Sequence, residues 1–213
     1  QMTRFFSYII MPCLLLWFNS SVQAGETPDT QFGETEVVTF AGGCFWCVEA
    51  DFDHLDGVLK TISGYSGGIL VEPTYKQVAA GNTGHLESVQ IFYNPDTLTF
   101  QDLLDTFWHS IDPTDTDGQF CDRGSPYRTA IFTHTQKQHT LAAKSRERLN
   151  KSRVLQLPIA TVIKPLTNFY PAEEYHQNFH SKNPVRYKYY RFRCGRDARL
   201  KELWGGDALR GIH

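Results

Sequence analysis

Glu36-Val37-Val38-Thr39-Phe40-Ala41-Gly42-Gly43-Cys44-Phe45-Trp46-Cys47 is the stretch on which the reading of this chain turns. Val37, Val38 and Phe40 are strand formers, so 36–40 reads as a strand. Ala41-Gly42-Gly43 reads as a turn. From Phe45 to Leu55 the apolar residues recur at helical spacing. Cys44 thus falls at the N-terminus of a helix, where free backbone N–H groups and the helix dipole favour a thiolate. The glycines beside it leave room for a substrate. The same residues also allow an inert, buried cysteine.

Working outward, 58–63 reads as a second strand, 64–85 as an irregular glycine-rich segment and 86–93 as a third strand. Phe100, Leu103, Leu104 and Phe107 share one face of a helix over 99–110. A polar Asp/Gly loop at 112–126 follows, then a strand over 127–133, a helix over 135–152 and a strand over 159–164. A last helix is expected over 171–180, entered through Pro171. The core order is βαββαβ, which predicts an α+β fold of the ferredoxin-like kind. Its antiparallel or mixed sheet would be covered by helices on one side, with long loops carrying the site.

The chain has 213 residues, 41% of them hydrophobic, and a formal charge of -2. That suits one domain, here 36–213, with a sizeable core. No basic block argues for nucleic-acid binding. Arg4, the apolar run Tyr8–Phe18 and the small-residue signal Val22-Gln23-Ala24 read as a signal peptide over 1–24, cut after Ala24. The run falls short of the roughly 20 apolar residues of a membrane span, and an uncleaved anchor is the alternative. A loose polar lead-in covers 25–35. The predicted compartment is extracytoplasmic, a bacterial periplasm. Cys13 would leave with the signal, and Cys44, Cys47, Cys121 and Cys194 would remain. In an exported protein these could form two structural disulfides. Cys44-x-x-Cys47 is also half a zinc site, but its other half is missing, so no metal is expected.

Six further features share one pattern: Gly43-Cys44-Phe45-Trp46 with Glu49; Ser63-Gly64-Tyr65-Ser66-Gly67-Gly68; Pro73-Thr74-Tyr75; Gly84-His85-Leu86-Glu87; Asp122-Arg123-Gly124-Ser125-Pro126-Tyr127-Arg128; and Ala172-Glu173-Glu174-Tyr175-His176-Gln177. In this order they resemble the peptide methionine sulfoxide reductases of the A type. The resemblance implies reduction of methionine S-sulfoxide, free or in proteins, as repair of oxidative damage, with no metal or organic cofactor. It casts Cys44 as nucleophile and Glu87 as acid, a role that needs burial to raise its pKa. Tyr75 and Tyr127 would donate to the sulfoxide oxygen. Phe45 and Trp46 would wall the S-methyl group. Asp122 would orient water or polar groups near Cys44, and His176 would serve as a packing or supporting residue.

Attack by Cys44 would leave a sulfenic acid, which a second thiol must resolve as a disulfide. The resemblance often puts that thiol in a flexible C-terminal tail, and no cysteine follows Trp204 in this sequence. Cys194 is the first candidate by position, Cys121 the second because it adjoins Asp122, and Cys47 the third because one helical turn separates it from Cys44. A thioredoxin-type dithiol would reset the enzyme. The expected partners include neither nucleic acid nor a stable membrane partner, and the chain is expected to be a monomer.

Two other classes fit parts of the pattern: a thiol–disulfide oxidoreductase using Cys44 and Cys47, and a silent binding module for oxidised proteins. Separate S and R epimers of a methionine sulfoxide peptide, supplied with dithiothreitol, distinguish the three. The reductase turns over the S epimer alone and loses that turnover in Cys44→Ser. Turnover of neither epimer by folded, reduced protein sinks this reading.

Overall fold

The first strand, β1 (Glu36–Gly42), ends on the Gly42-Gly43 turn and feeds α1 (Phe45–Phe52) with Cys44 as its N-cap residue. The computed structural model describes residues 2–3 and 35–212. The expected signal peptide at 1–24 and lead-in at 25–35 therefore lie, save for Met2, Thr3 and Thr35, outside the described residues. After α1 come β2 (Val58–Ser66), α2 (Tyr75–Ala79), β3 (Leu86–Tyr93) and α3 (Phe100–His109). A short hairpin, β4 (Gly118–Gln119) and β5 (Asp122–Arg123), and a 3-10 turn at Ser125–Tyr127 lead to β6 (Thr129–Thr133), α4 (Gln136–Ser152) and β7 (Val162–Pro165). The chain closes with β8 (Phe169–Pro171), a 3-10 turn at Glu174–His176, α5 (Phe179–Lys182), α6 (Pro184–Cys194) and α7 (Arg196–Trp204).

The main sheet runs β7-β6-β1-β3-β2-β8. Its central four strands are antiparallel, with β3 between β1 and β2, which is the ferredoxin-like order that the βαββαβ reading predicts. Two edge strands extend it, β7 parallel to β6 and β8 antiparallel to β2. Val38 and Phe40 of β1, Val89 and Ile91 of β3 and Ile131 of β6 point to one face, where Val48 and Phe52 of α1 and Leu103, Leu104 and Phe107 of α3 cover them. Phe40 stacks on Phe107 with ring centroids 4.5 Å apart. Each such buried side chain stabilises the fold by about 1.5–3 kcal/mol. The alternate residues, Ala41, Leu86, Ala130 and Phe132, form a smaller cluster on the opposite face.

Helix α3 sits where its periodicity puts it. Thr99 caps it, accepting from the Asp102 amide at 3.2 Å while Asp102 accepts from the Thr99 amide at 3.0 Å. The last predicted helix needs correction. Residues 171–180 are not one helix, because Phe169–Pro171 pairs with β2 and the following segment turns twice before α5. Gly64 makes that pairing possible, since a Cβ there would lie 2.5 Å from the Tyr170 carbonyl oxygen. The 64–85 segment, read as irregular, also contains the short α2, and α6 and α7 were not foreseen.

Arg196, the first residue of α7, is only 1% exposed. It donates to the carbonyls of Gly42 at 3.2 Å and Ser110 at 2.7 Å, and lies 3.5 Å from Asp51 of α1. This ties the C-terminal helices to the turn that carries Cys44. Arg196→Met should destabilise the fold by about 3–5 kcal/mol, the usual cost of breaking a buried charge pair. Arg196→Lys should recover little of it, for want of the planar donor fork. Urea unfolding midpoints read both, and a loss under 1 kcal/mol in Arg196→Met would contradict the role.

Candidate active site

Cys44 has extended rather than helical backbone angles, and its carbonyl accepts the first helical hydrogen bonds from Cys47 and Val48. Its side chain caps nothing. The Phe45 amide, one of the free donors at this helix end, is taken instead by Glu87 Oε2 at 3.0 Å. Gly43 makes the tight entry with φ +88, and a Cβ there would lie 2.6 Å from Gln119 Cβ. The turn thus delivers Cys44, 6% exposed, beside the carboxyl of Glu87, 2% exposed.

Glu87 shares its face of β3 with Val89 and Ile91, and Tyr65 of β2 stands directly opposite it. Burial is the largest cause that pushes its carboxyl up to about 8. The Phe45 amide opposes the shift, while Asp122 and Cys47 add to it. Glu87 therefore holds a proton at neutral pH, as an acid at this position must.

Tyr75 and Tyr127 both lie close enough to Glu87, Asp122 and Cys44 to be influenced by their charge, and to each other. Burial first, then Glu87, raises the Tyr75 hydroxyl to about 12, and Tyr127 shifts in the same direction. Both remain neutral donors. Glu173 sets the placement of Tyr75: one carboxylate oxygen accepts from the Tyr75 amide at 2.8 Å, the other from the Tyr65 hydroxyl at 2.7 Å. Asp122 accepts from the Tyr190 hydroxyl, and its carboxyl is raised mainly by burial.

The two aromatic residues after Cys44 divide their work. Phe45 is fully buried among Tyr65, Tyr75 and His176. Trp46 is half-buried, stacked on Phe179 with centroids 3.8 Å apart and edge-on to Tyr190. Its indole N–H donates to His176 Nδ1 at 3.0 Å, and the His176 ring lies 4.4 Å from that of Tyr75. His176 sits in a 3-10 turn rather than on the expected helix, and it links the Trp46 and Tyr75 walls.

The cysteines form two pairs. Cys121 and Cys194 are bonded to each other, with Cα atoms 4.9 Å apart, Cys121 exposed and Cys194 half-buried. Cys194, the first candidate for resolving the sulfenic acid, and Cys121, the second, are therefore each engaged by the other. Cys44 and Cys47 are both free and buried, and they lie close enough for each to shift the other's titration. Burial pushes the Cys44 thiol well up, followed by Cys47, Glu87 and Asp122. Cys47 is lowered, first by the Cys44 hydrogen bond and then by Arg196 and Arg191, against burial. The two thiols thus shift in opposite directions, Cys44 toward keeping its proton and Cys47 toward losing it. The helix end favours a Cys44 thiolate, but burial and two acids outweigh it there.

Several residues of this site were not foreseen: Tyr190, Arg191 and Arg196. All come from α6 and α7, more than 140 residues beyond Cys44 in the chain, and no local signal marks them. Glu173 and Glu49 were quoted only within larger patterns. Glu49, fully buried, accepts from the Asn178 amide at 2.8 Å, and burial pushes its carboxyl up to about 7.

The comparisons agree with this geometry. The sequence model of the family described as "Peptide methionine sulfoxide reductase" matches residues 36–208. Peptide methionine sulfoxide reductase MsrA of Bacillus licheniformis is 51% identical over 170 residues, 80% of this chain and 94% of that protein. Methionine sulfoxide reductase A of Corynebacterium diphtheriae superposes with a TM-score of 0.68 at 34% identity, over 71% of this chain and 76% of that one. Reduced Mxr1 of Saccharomyces cerevisiae superposes with a TM-score of 0.67 at 36% identity, over 71% of this chain and 87% of that one.

The shifted Glu87 carboxyl gives a pH prediction. The group is protonated in the folded protein up to about 8, against an ordinary 4.5, so its acid function is present below about 8 and lost as pH rises through it. The alkaline limb of kcat/KM should fall with an apparent pKa near 8. Glu87→Gln should lower kcat/KM by about 10²–10⁴-fold and abolish that limb. An unchanged alkaline limb in Glu87→Gln would remove Glu87 from the role.

Proposed function

The chain belongs to the A-type peptide methionine sulfoxide reductase family, and from that membership we propose which residues carry out its reaction and how the cycle closes. Reduction of methionine sulfoxide is the activity itself. The observation that carries the assignment of residues is the buried, protonated Glu87 carboxyl fixed beside Cys44 by the Phe45 amide.

The Cys44 sulfur attacks the sulfoxide sulfur and gives its proton to the neighbouring Cys47 thiolate, the form that Arg196 and Arg191 favour. Glu87 gives its proton to the sulfoxide oxygen, while Tyr75 and Tyr127 donate to that oxygen as charge gathers there. The sulfur–sulfur bond formed by the attack and the substrate S–O bond then break as the oxygen, now a hydroxyl, bonds to the Cys44 sulfur, so methionine departs and Cys44 becomes a sulfenic acid. The acceptor sulfur is reduced by two electrons and Cys44 is oxidised by two. Trp46, Tyr190 and Phe179 offer the aromatic surface for the S-methyl group, with Phe45 behind them, and Asp122 holds the Tyr190 hydroxyl. Membership of the A-type family supports selectivity for the S epimer.

Cys47 closes the cycle. It lies one turn from Cys44 on α1 and is free, whereas Cys121 and Cys194 hold each other. Its attack on the Cys44 sulfenic acid forms the Cys44–Cys47 disulfide and releases water. A thioredoxin-type dithiol then takes up that oxidation and returns both thiols. Arg4, the apolar run Tyr8–Phe18 and Val22-Gln23-Ala24 support export, with cleavage after Ala24, as the setting for this repair. Among the described residues no helix is long and apolar enough to cross a membrane.

Oxidation of the reduced protein by one equivalent of methionine S-sulfoxide, followed by mass mapping, should find the Cys44–Cys47 bond. Cys47→Ser should release one methionine per chain and then stall, with a Cys44 sulfenic acid that a cyclic diketone traps. A Cys44–Cys194 or Cys44–Cys121 bond in the parent would overturn the choice of Cys47.

A further inference from the structure

The catalytic face uses only half of the side chains on the strands that build it. Along β3 successive residues point to opposite faces, so Leu86 faces away from the site that Glu87 enters. Arg128, between the 3-10 turn and β6, has extended backbone angles, φ -71 and ψ 158. On this opposite face lies a cavity of about 480 Å³, within the range of small-molecule sites.

Its lining joins two kinds of surface. Leu86, Ala160 and Val162 are apolar, while Arg128 and Lys164 bring two cations to the same walls. The cavity's acid, Asp115, is already engaged by Arg123 through contacts of 2.5 and 2.9 Å. Among the described residues neither Arg128 nor Lys164 forms an ion pair, and the Lys164 ammonium lies 5.1 Å from the centre of the Phe132 ring. Two cations beside a hydrocarbon floor, with the nearby carboxylate neutralised, select a negative group carried on an apolar body.

We propose that this cavity binds an organic anion, its carboxylate between Arg128 and Lys164 and its hydrocarbon against Leu86 and Val162. The anion has two possible sources: an acidic side chain in a peptide whose oxidised methionine occupies the catalytic face, or a free carboxylic acid. Only the first source rests on the reductase reading above.

The probe is hexanoate, titrated into the reduced full chain and followed by NMR, with 1-hexanol and hexylammonium as controls. Hexanoate should give saturable shifts at Leu86 and Val162. Its Kd should rise at least tenfold in Arg128→Gln/Lys164→Gln of native spectrum, and the two controls should bind more weakly than hexanoate to the parent. No saturable binding, or an equal Kd in parent and variant, overturns the proposal. S-sulfoxide peptides with Glu or Gln two to six residues from the oxidised methionine then separate the sources. A peptide source raises KM for the Glu peptide alone in the variant, with kcat unchanged. A free-acid source leaves the Glu and Gln peptides with the same KM in parent and variant, while hexanoate still binds the variant at least tenfold more weakly. The hexanoate result stands independently of turnover, so failure of the reductase reading would not be mistaken for failure of this one.

Discussion

One hydrogen bond organises the catalytic face: the Phe45 amide to the buried carboxyl of Glu87. It answers two needs at once. The first amides of α1 have no helical partner, and Cys44, as N-cap, supplies no side-chain acceptor. A carboxyl taken out of water needs a donor, and the same amide provides it. The bond therefore joins the start of α1 to β3 and fixes the distance from acid to thiol. Because Glu87 is buried, it keeps its proton; because it is held, that proton stays beside Cys44.

Charge is distributed around this bond with two opposed edges. Glu87 and Asp122 lie on the Cys44 side, and Arg191 and Arg196 lie on the Cys47 side. Asp51 keeps the arginines from standing alone: Arg191 reaches it at 2.6 Å and Arg196 at 3.5 Å. The two thiols are shifted in opposite directions as a result, Cys44 upward and Cys47 downward. The second cysteine pair adjoins this field: Cys121 on the hairpin loop is bonded to the last residue of α6, and Cys194 Sγ lies 3.8 Å from the Asp122 carboxylate. That bond keeps Asp122 next to the helix that carries Tyr190, its hydrogen-bond donor.

The sheet makes two surfaces from one set of strands. Period-two alternation sends Glu87, Val89 and Ile91 toward α1 and α3, and Leu86 toward the smaller cluster behind. The larger face gains its rigidity from stacked rings such as Phe40 on Phe107. A site built on such strands is held by the core, not by the loops alone, and this suits a reaction that depends on placing a proton beside a sulfur.

The sequence by itself determined the features that rest on local periodicity and local chemistry. Val37, Val38 and Phe40 specified β1, the Gly42-Gly43 turn placed Cys44 at a helix start, and Phe100, Leu103, Leu104 and Phe107 specified α3. The order of these elements was enough for the ferredoxin-like core, and the quoted motifs were enough for the family. Pro171 misled, because proline starts a helix as readily as it ends an edge strand, and only pairing with Gly64 decides between them. The tertiary structure alone decided which cysteines are neighbours, since sequence distance says nothing about Cys121 and Cys194 across 73 residues. It alone brought Tyr190, Arg191 and Arg196 to the thiols, and it alone set the protonation of Glu87 and Cys44. Burial and opposed charges act through space, so a pKa belongs to the folded neighbourhood and not to the residue type.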